Sequence, residues 1–445
     1  MSQNSNRFKQ IEIGELPEEW EVKKLNDLFI ECRERLDPRR YPEEIFTLYS
    51  IPAYDENRQP EVLKGAQIGS QKTILNPPVL LISRLNPHIY RVWLVDHCSP
   101  YRAIASTEFI ALQPKPILNK NFAYYLCISP LVREKVQTLV EGTTGSRQRV
   151  SGDDVLEILV PLPPLEEQKR IAGVLRLVDE IAEKTKRIIS FYEKVKKYAL
   201  NQLLTKGIGH SKFKQTEIGE LPEEWEVKPL SQVLLDHQAG DWGKDMKEYN
   251  PQFHLPMKII RSTEFTKDCR LLPETAVDRA IPKKKAQKIH LQEGDILVER
   301  SGGGPKQPVG RAVLVKHLPQ GAWGFGNFIQ RLRVKPEFSP EFVWAVLYWH
   351  WIKGSVLSMQ EQTTGIRNLR WNDYLNLPIP LPPLEEQKKI TELLSALDRA
   401  IDNERRYLQD LEKLKRWMLD NLLTGKVRLP QEIDELLKEV FYDVF

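Results

Sequence analysis

The chain has 445 residues, 41% hydrophobic and 28% charged, with 65 basic against 61 acidic side chains and a formal net charge of +4. That length exceeds what one compact core fills, so two domains with connecting elements are expected; the near-balance of charge excludes a uniformly basic coat for nucleic acid but permits local basic patches. No apolar run reaches the length of a membrane span and the opening MSQNSNRFKQ has no apolar signal core, so a cytoplasmic protein without membrane contact is expected.

Residues 8–23 read FKQIEIGELPEEWEVK, and residues 213–228 read FKQTEIGELPEEWEVK, differing only at Ile11 against Thr216. Such a duplication predicts two like units and an internal pseudo-two-fold. The first insert, 24–160, alternates short apolar runs with Gly, Pro and Asn. Strands are expected at 79–82, 90–95 and 109–112, then a helical segment at 122–139 and the loop GTTGSRQR at 142–149. PLPPLEEQK at 161–169 opens the first long helix, predicted from Leu165 to about Thr205. Pro163 and Pro164 block helix before it, Glu166 and Glu167 suit its first turn, and Gly207 follows its end. Its apolar stripe includes Ile171, Val174, Val178, Ile181 and Ile188.

The second insert, 229–379, has the same texture, with strands expected at 296–298 and 312–315, a helical segment at 340–359 and the loop QTTGIRNLR at 362–370. PLPPLEEQK returns at 380–388, and a second long helix is predicted from Leu384 to about Thr424. Its apolar residues, among them Ile390, Leu394, Leu397, Ile401, Leu408 and Leu411, step by four and three as in a coiled-coil seam. A helix of about forty residues is roughly 60 Å long, which reads as a spacer. Two such helices with matched seams are expected to pack antiparallel. Residues 429–445 have no counterpart in the first half and read as a short amphipathic helix completing the frame.

The two repeats are not equally spaced. The first blocks lie 205 residues apart and the second 219, so the intervening stretch is 14 residues longer in the second half, and it has diverged almost completely. The frame is held while the inserts differ.

No catalytic constellation emerges. Asn76-Pro77-Pro78 resembles the start of an amino-methyltransferase motif, but Val79 stands where an aromatic would stack on the base, so a turn before a strand is the better reading. The glycines at 302–304 lead to Gly310 followed by Arg311 and Ala312, without the lysine and hydroxyl of a phosphate loop. Asp295 and Glu299 have the wrong spacing to the next basic residue for a nuclease metal site. Cys32, Cys98, Cys127 and Cys269 form no metal-ligand or disulfide pattern and are expected to be reduced and structural.

DNA-binding features are better represented. Thr143, Thr144, Gly145, Arg147 and Arg149 in the first loop, and Thr363, Thr364, Gly365, Arg367 and Arg370 in the second, combine hydroxyls, a close-approach glycine and arginines for phosphate or guanine. Arg84 (LLISRLNP) and Arg300 (ILVERSGG) both follow an apolar strand and join these candidates. Lys283–Lys285 with Lys288, and Arg33, Arg35, Arg39 and Arg40, are further basic clusters, usually solvated faces.

These features together resemble the specificity (S) subunit of Type I restriction–modification systems: the two IGELPEEW openings, the two PLPPLEEQK blocks leading into long helices, GDILVERSG at 294–302, and the paired Thr-Thr-Gly loops. The first half departs from the GDIL pattern, carrying PPVLLISR at 77–84 instead. The resemblance implies an α+β chain with two pseudo-symmetric α/β target recognition domains separated by two long antiparallel coiled-coil helices. The segments would be 1–160 and 213–379 for the domains, 161–212 and 380–428 for the spacers, and 429–445 for the tail. Each domain would read one half of a split double-stranded DNA site, and the helix pair, with Ile171, Val178, Leu394, Leu397, Ile401, Leu408 and Leu411 in its seam, would set the gap. The frame would dock two methyltransferase (M) subunits, which hold S-adenosylmethionine and methylate adenine. Restriction (R) subunits, which use ATP and Mg, would join for cleavage. This chain would bind no cofactor or metal and have no catalytic residue. The competing readings are a coiled-coil scaffold that only joins proteins, a stand-alone DNA-binding protein, and a self-sufficient methyltransferase or nuclease, the last disfavoured by the missing motifs.

Overall fold

The computed structural model describes residues 8–11, 14–97, 99–140, 148–303, 308–363 and 365–440. The chain forms two compact units, residues 1–187 with 405–445, and residues 188–404. Each unit takes one α/β domain and a stretch of both long helices, which run from Leu165 to Thr205 and from Leu384 to Leu422.

In the first unit the hairpin Phe8–Ile11 with Gly14–Pro17 leads to Trp20, which is fully buried. The strand Glu21–Lys24 then pairs antiparallel with Leu159–Leu162, setting Val22 opposite Pro161. The second unit repeats this with the hairpin Phe213–Thr216 and Gly219–Pro222, buried Trp225, and Glu226–Pro229 paired with Pro378–Leu381. Thus the two duplicated blocks meet in space within each unit. A two-stranded ribbon has only edge strands, so the prolines of PLPP remove no ladder bond that a neighbouring strand needs.

Side chains lock the same blocks together. Trp20 Nε1 donates to Glu167 Oε2 at 3.0 Å, and Trp225 Nε1 to Glu386 Oε2 at 3.2 Å. A basic side chain completes each pair: Arg428 grips Glu167 at 2.7 and 2.8 Å, and His210 Nε2 lies 2.9 Å from Glu386 Oε1. Gln168 accepts from the Asn119 N–H, and Gln387 from the Ser339 N–H, both at 2.9 Å. Each glutamine thereby ties its long helix to the start of a domain helix, Lys120–Ile128 or Pro340–Ile352.

Within each unit the two helix stretches run antiparallel. Ile171, Ala172, Leu175 and Val178 share a core with Leu411, Met418, Leu419 and Leu422 in the first unit; Leu200 and Leu204 share one with Ile390 and Leu394 in the second. Lys415 Nζ meets Asp179 at 2.5 Å, and Lys196 Nζ meets Asp398 at 2.6 Å. Asp179 and Asp398, like Lys196 and Lys415, are 219 residues apart, the offset of the repeat. Of the seam residues, Ile171, Val178, Leu394, Ile401 and Leu411 are buried, while Leu397 and Leu408 are half-buried. Ile188 is exposed despite its place on the apolar stripe, because a straight helix of 3.6 residues per turn drifts from a 3.5-residue repeat.

The first domain holds an antiparallel sheet in the order Val92–Val95, Val79–Ser83, Phe109–Pro114, Phe29–Glu31. A five-stranded mixed sheet accompanies it, in which Arg102–Ser106 runs parallel to Ile45–Tyr49. The second domain matches the first sheet with Ala312–Leu314, Ile296–Glu299, Ile329–Val334 and Leu234–Ala239, and its smaller mixed sheet sets Trp323–Phe325 parallel to His254–Ile260. The helix expected over 122–139 is two, Lys120–Ile128 and Pro130–Thr138, because Pro130 interrupts it. The one expected over 340–359 ends at Ile352, where Gly354 turns the chain with φ +78°.

The tail helix Ile433–Val440 belongs to the first unit. Arg170 holds Asp434 through two 2.7 Å bonds, and Leu437 is buried against Val174 and Leu177. A Cβ on Gly173 would lie 2.8 Å from the Leu437 Cδ1 methyl, so a side chain there would require the Leu437 side chain to shift.

Candidate nucleic-acid interface

Both domains build the same corner from three segments distant in sequence. In the first, strand Val79–Ser83 ends at Arg84, whose N–H donates to the Glu108 carbonyl at 2.8 Å and whose carbonyl accepts from Val150 at 3.1 Å. In the second, strand Ile296–Glu299 ends at Arg300, whose N–H donates to the Phe328 carbonyl at 2.8 Å and whose carbonyl accepts from Leu369 at 2.8 Å. Each corner therefore joins a strand end, a β-turn and the segment that follows a Thr-Thr-Gly loop.

Thr143, Thr144, Gly145, Arg147 and Thr364 lie outside the described residues. In the second domain Gln360–Thr363 and Ile366–Leu369 form a hairpin, with Thr363 paired to Ile366, and Ser301–Gly303 adds a third strand beside it. Gly365 has φ +89°, which a tight hairpin turn demands and which glycine accepts without strain. Arg367 sits on the middle strand of this sheet, opposite Gly303 and Gln362. Arg370 follows it, donating to the Ser358 carbonyl at 2.6 Å and pairing with Asp373 at 2.9 Å. The Arg300 guanidinium lies 6.0 Å from the Trp371 ring centroid.

In the first domain Arg149 is exposed and forks onto Glu108, with contacts of 2.5 and 3.2 Å. Arg84 and Arg33 share the Glu31 carboxylate at 2.9 and 2.8 Å, and Arg33 also reaches Asp153 at 2.8 Å. These groups, with Arg35 and Thr107, line a polar cleft of about 290 Å³. The loop sequences, aligned on Thr-Thr-Gly, set Arg149 level with Leu369, but the bonding places Arg149 level with Asn368. Arg370 instead matches Ser151, each preceding a short helix, Trp371–Leu375 and Gly152–Leu156. The two loops thus differ by one residue in register.

Several of the remaining candidates are held by local pairing. Asp295 forks onto Arg333 at 2.8 and 2.9 Å and Glu299 onto Arg311 at 2.8 and 3.1 Å, so both carboxylates are committed to arginines. Among the described residues no cluster of His, Cys, Asp or Glu is arranged to hold a metal. Burial pushes the Cys127 and Cys269 thiols up to about 12, leaving them unreactive. Of the basic clusters, Lys285 pairs with Asp241. Arg39 pairs with Asp37, whose carboxyl its hydrogen bonds hold at about 2.

Two features escape a reading of the sequence. Arg91 and Arg311 are buried at equivalent places, each giving its carbonyl to the strand residue before the corner arginine, Ser83 or Glu299. The turns Thr107–Glu108 and Asn327–Phe328 also lie at the corner. Their only signal is a pair of polar or bulky residues between two apolar runs.

Two domains of one fold, each presenting an arginine-bearing corner and each packed on its own stretch of two long antiparallel helices, define a two-headed recognition protein of the α+β class. The model of the Type I restriction modification DNA specificity domain matches residues 17–191 and again 222–413, and the chain belongs to that family. It is a specificity subunit of a Type I restriction–modification system, a non-catalytic component with two target recognition domains. The putative MjaX specificity subunit of Methanocaldococcus jannaschii is 26% identical over 95% of this chain and 97% of its own length. The MjaVIII specificity subunit of the same organism is 27% identical over 95% and 96%. A solved chain described under assembly and conformational transition of the type I R-M system aligns over 93% of this chain and 99% of its own, with TM-score 0.59 and 22% identity, and shares the fold.

Proposed function

We propose that each recognition domain reads one half of a bipartite, asymmetric duplex site and that the two long helices set the gap between the halves. The frame built from the repeated blocks docks two adenine methyltransferase subunits, and restriction subunits join that assembly. S-adenosylmethionine belongs to the methyltransferase partner, ATP and Mg to the restriction partner, and no cofactor to this chain. The assembly works in the cytoplasm; among the described residues no helix is long and apolar enough to cross a membrane.

The observation that carries this reading is the shared corner with unshared side chains. Glu31 and Glu108 hold Arg84, Arg33 and Arg149 in the first domain, whereas the second sets Arg300 beside Trp371 and an exposed Phe328. One backbone with two sets of side chains suits two different half-sites. The exposed Arg33–Asp153 and Arg149–Glu108 pairs contribute little to stability, so these two arginines exchange readily onto phosphates or guanine.

Binding of the chain with its methyltransferase partner to a duplex carrying both half-sites is expected to weaken steeply with salt. The logarithm of affinity should fall by about 0.9 per neutralised phosphate for each unit of log salt. Affinity for a duplex with scrambled halves should be about a thousandfold lower or more. Salt-insensitive binding, or equal affinity for both duplexes, would leave a protein-joining scaffold as the better reading.

A further inference from the structure

Resting on that reading, the geometry points to the turn Asn327–Phe328 as the element that reads an adenine–thymine pair in the second half-site. The turn joins strands Trp323–Phe325 and Ile329–Val334, whose residues are almost all buried, yet Asn327 is exposed and Phe328 is 44% exposed. A single exposed apolar ring is ordinary on a protein surface, but this one lines a cleft of about 500 Å³ with Trp242, Arg261, Thr263 and Asn327.

The turn is fixed, so the ring is presented and not merely loose. The Phe328 carbonyl accepts from the N–H groups of both Arg300 and Ser301, at 2.8 and 3.2 Å, and the Ile329 N–H closes the turn onto Gly326 at 3.0 Å. The ring lies along Gly302, where a Cβ would sit 3.5 Å away, and Gly302 belongs to the strand beside the Thr-Thr-Gly hairpin. Asn327 and Phe328 thus share a corner with Arg300 and the hairpin. In the major groove an asparagine amide matches adenine N6 and N7, and an apolar ring packs on the thymine methyl.

The counterpart turn in the first domain supports a reading role. There the same two backbone positions carry Thr107 and Glu108, and Glu108 forks onto Arg149. The scaffold bonds at the corner are kept while the presented chemistry changes from amide and apolar to hydroxyl and carboxylate.

The test uses the chain assembled with its methyltransferase partner and a duplex bearing the motif that it methylates in cells. Deoxyuridine replaces each thymine of the second half-site in turn, removing one methyl. At one position the wild type should lose about fourfold in affinity, the worth of one buried methyl group, while Phe328→Ala should lose nothing further there. At the adenine of the same pair, 7-deazaadenine should weaken the wild type and leave Asn327→Ala unchanged. A wild type indifferent to every such replacement, or variants as sensitive as the wild type, would overturn the assignment of this turn while leaving bipartite reading standing. Failure of the wild type to prefer its motif would overturn both.

Discussion

Trp225→Ala will lower the stability of the second unit by about 3–5 kcal/mol, and Trp225→Phe by clearly less. The ring is fully buried in a core with Leu200, Leu204, Leu221 and Ile390, which draws on the repeated block and on both long helices. It packs so closely that a Cβ on Gly207 would lie 2.7 Å from it. Truncation to alanine leaves a cavity among elements that cannot all close in. Phenylalanine fills most of that volume and loses mainly the 3.2 Å bond to Glu386, which keeps His210 and the Ile208 N–H as donors. Denaturant unfolding followed by hydrogen exchange should show the loss in residues 188–404, with protection of the first unit retained. A loss under about 1 kcal/mol would mean that the repeated tryptophan is not the anchor described.

Adding seven residues to each long helix, after Arg187 and after Arg406, will lengthen the gap in the recognised sequence and leave both half-sites intact. These points lie midway between the ion-paired positions on each helix, Asp179 and Lys196 on one and Asp398 and Lys415 on the other, so both pairs and both cores persist. A heptad keeps the seam in phase and adds about 10 Å of helix, or about three base pairs at 3.4 Å each. Mapping the methylated motif of the edited chain reads the gap directly. An unchanged gap would remove the helices from the role of ruler.

Much of the frame was legible because duplication is a comparison made within one chain. The blocks around Trp20 and Glu167 recur because they hydrogen-bond each other, and the long helices begin at Leu165 and Leu384 as their proline pairs and acidic first turns imply. Helix breaks inside the domains were less legible, since Pro130 sits in an otherwise apolar and helical run. The recognition corner was only half legible. Arg84 and Arg300 were visible as residues that end a strand, but Glu31 reaches Arg84 across 53 residues and Phe328 reaches Arg300 only through a backbone bond. No local periodicity records contacts of that kind. The one-residue register difference between the loops was hidden by the very motif that marks them, because Thr-Thr-Gly aligns while the strand that follows it does not.

The measurement that bears most directly on the central claim is the methylated motif of the chain and its partner before and after residues 229–379 are exchanged for the same segment of a relative with a different specificity. A bipartite motif in which one half changes, while the other half and the gap stay fixed, is the predicted result. A motif that changes in both halves, or in neither, would contradict the division of reading between two independent domains.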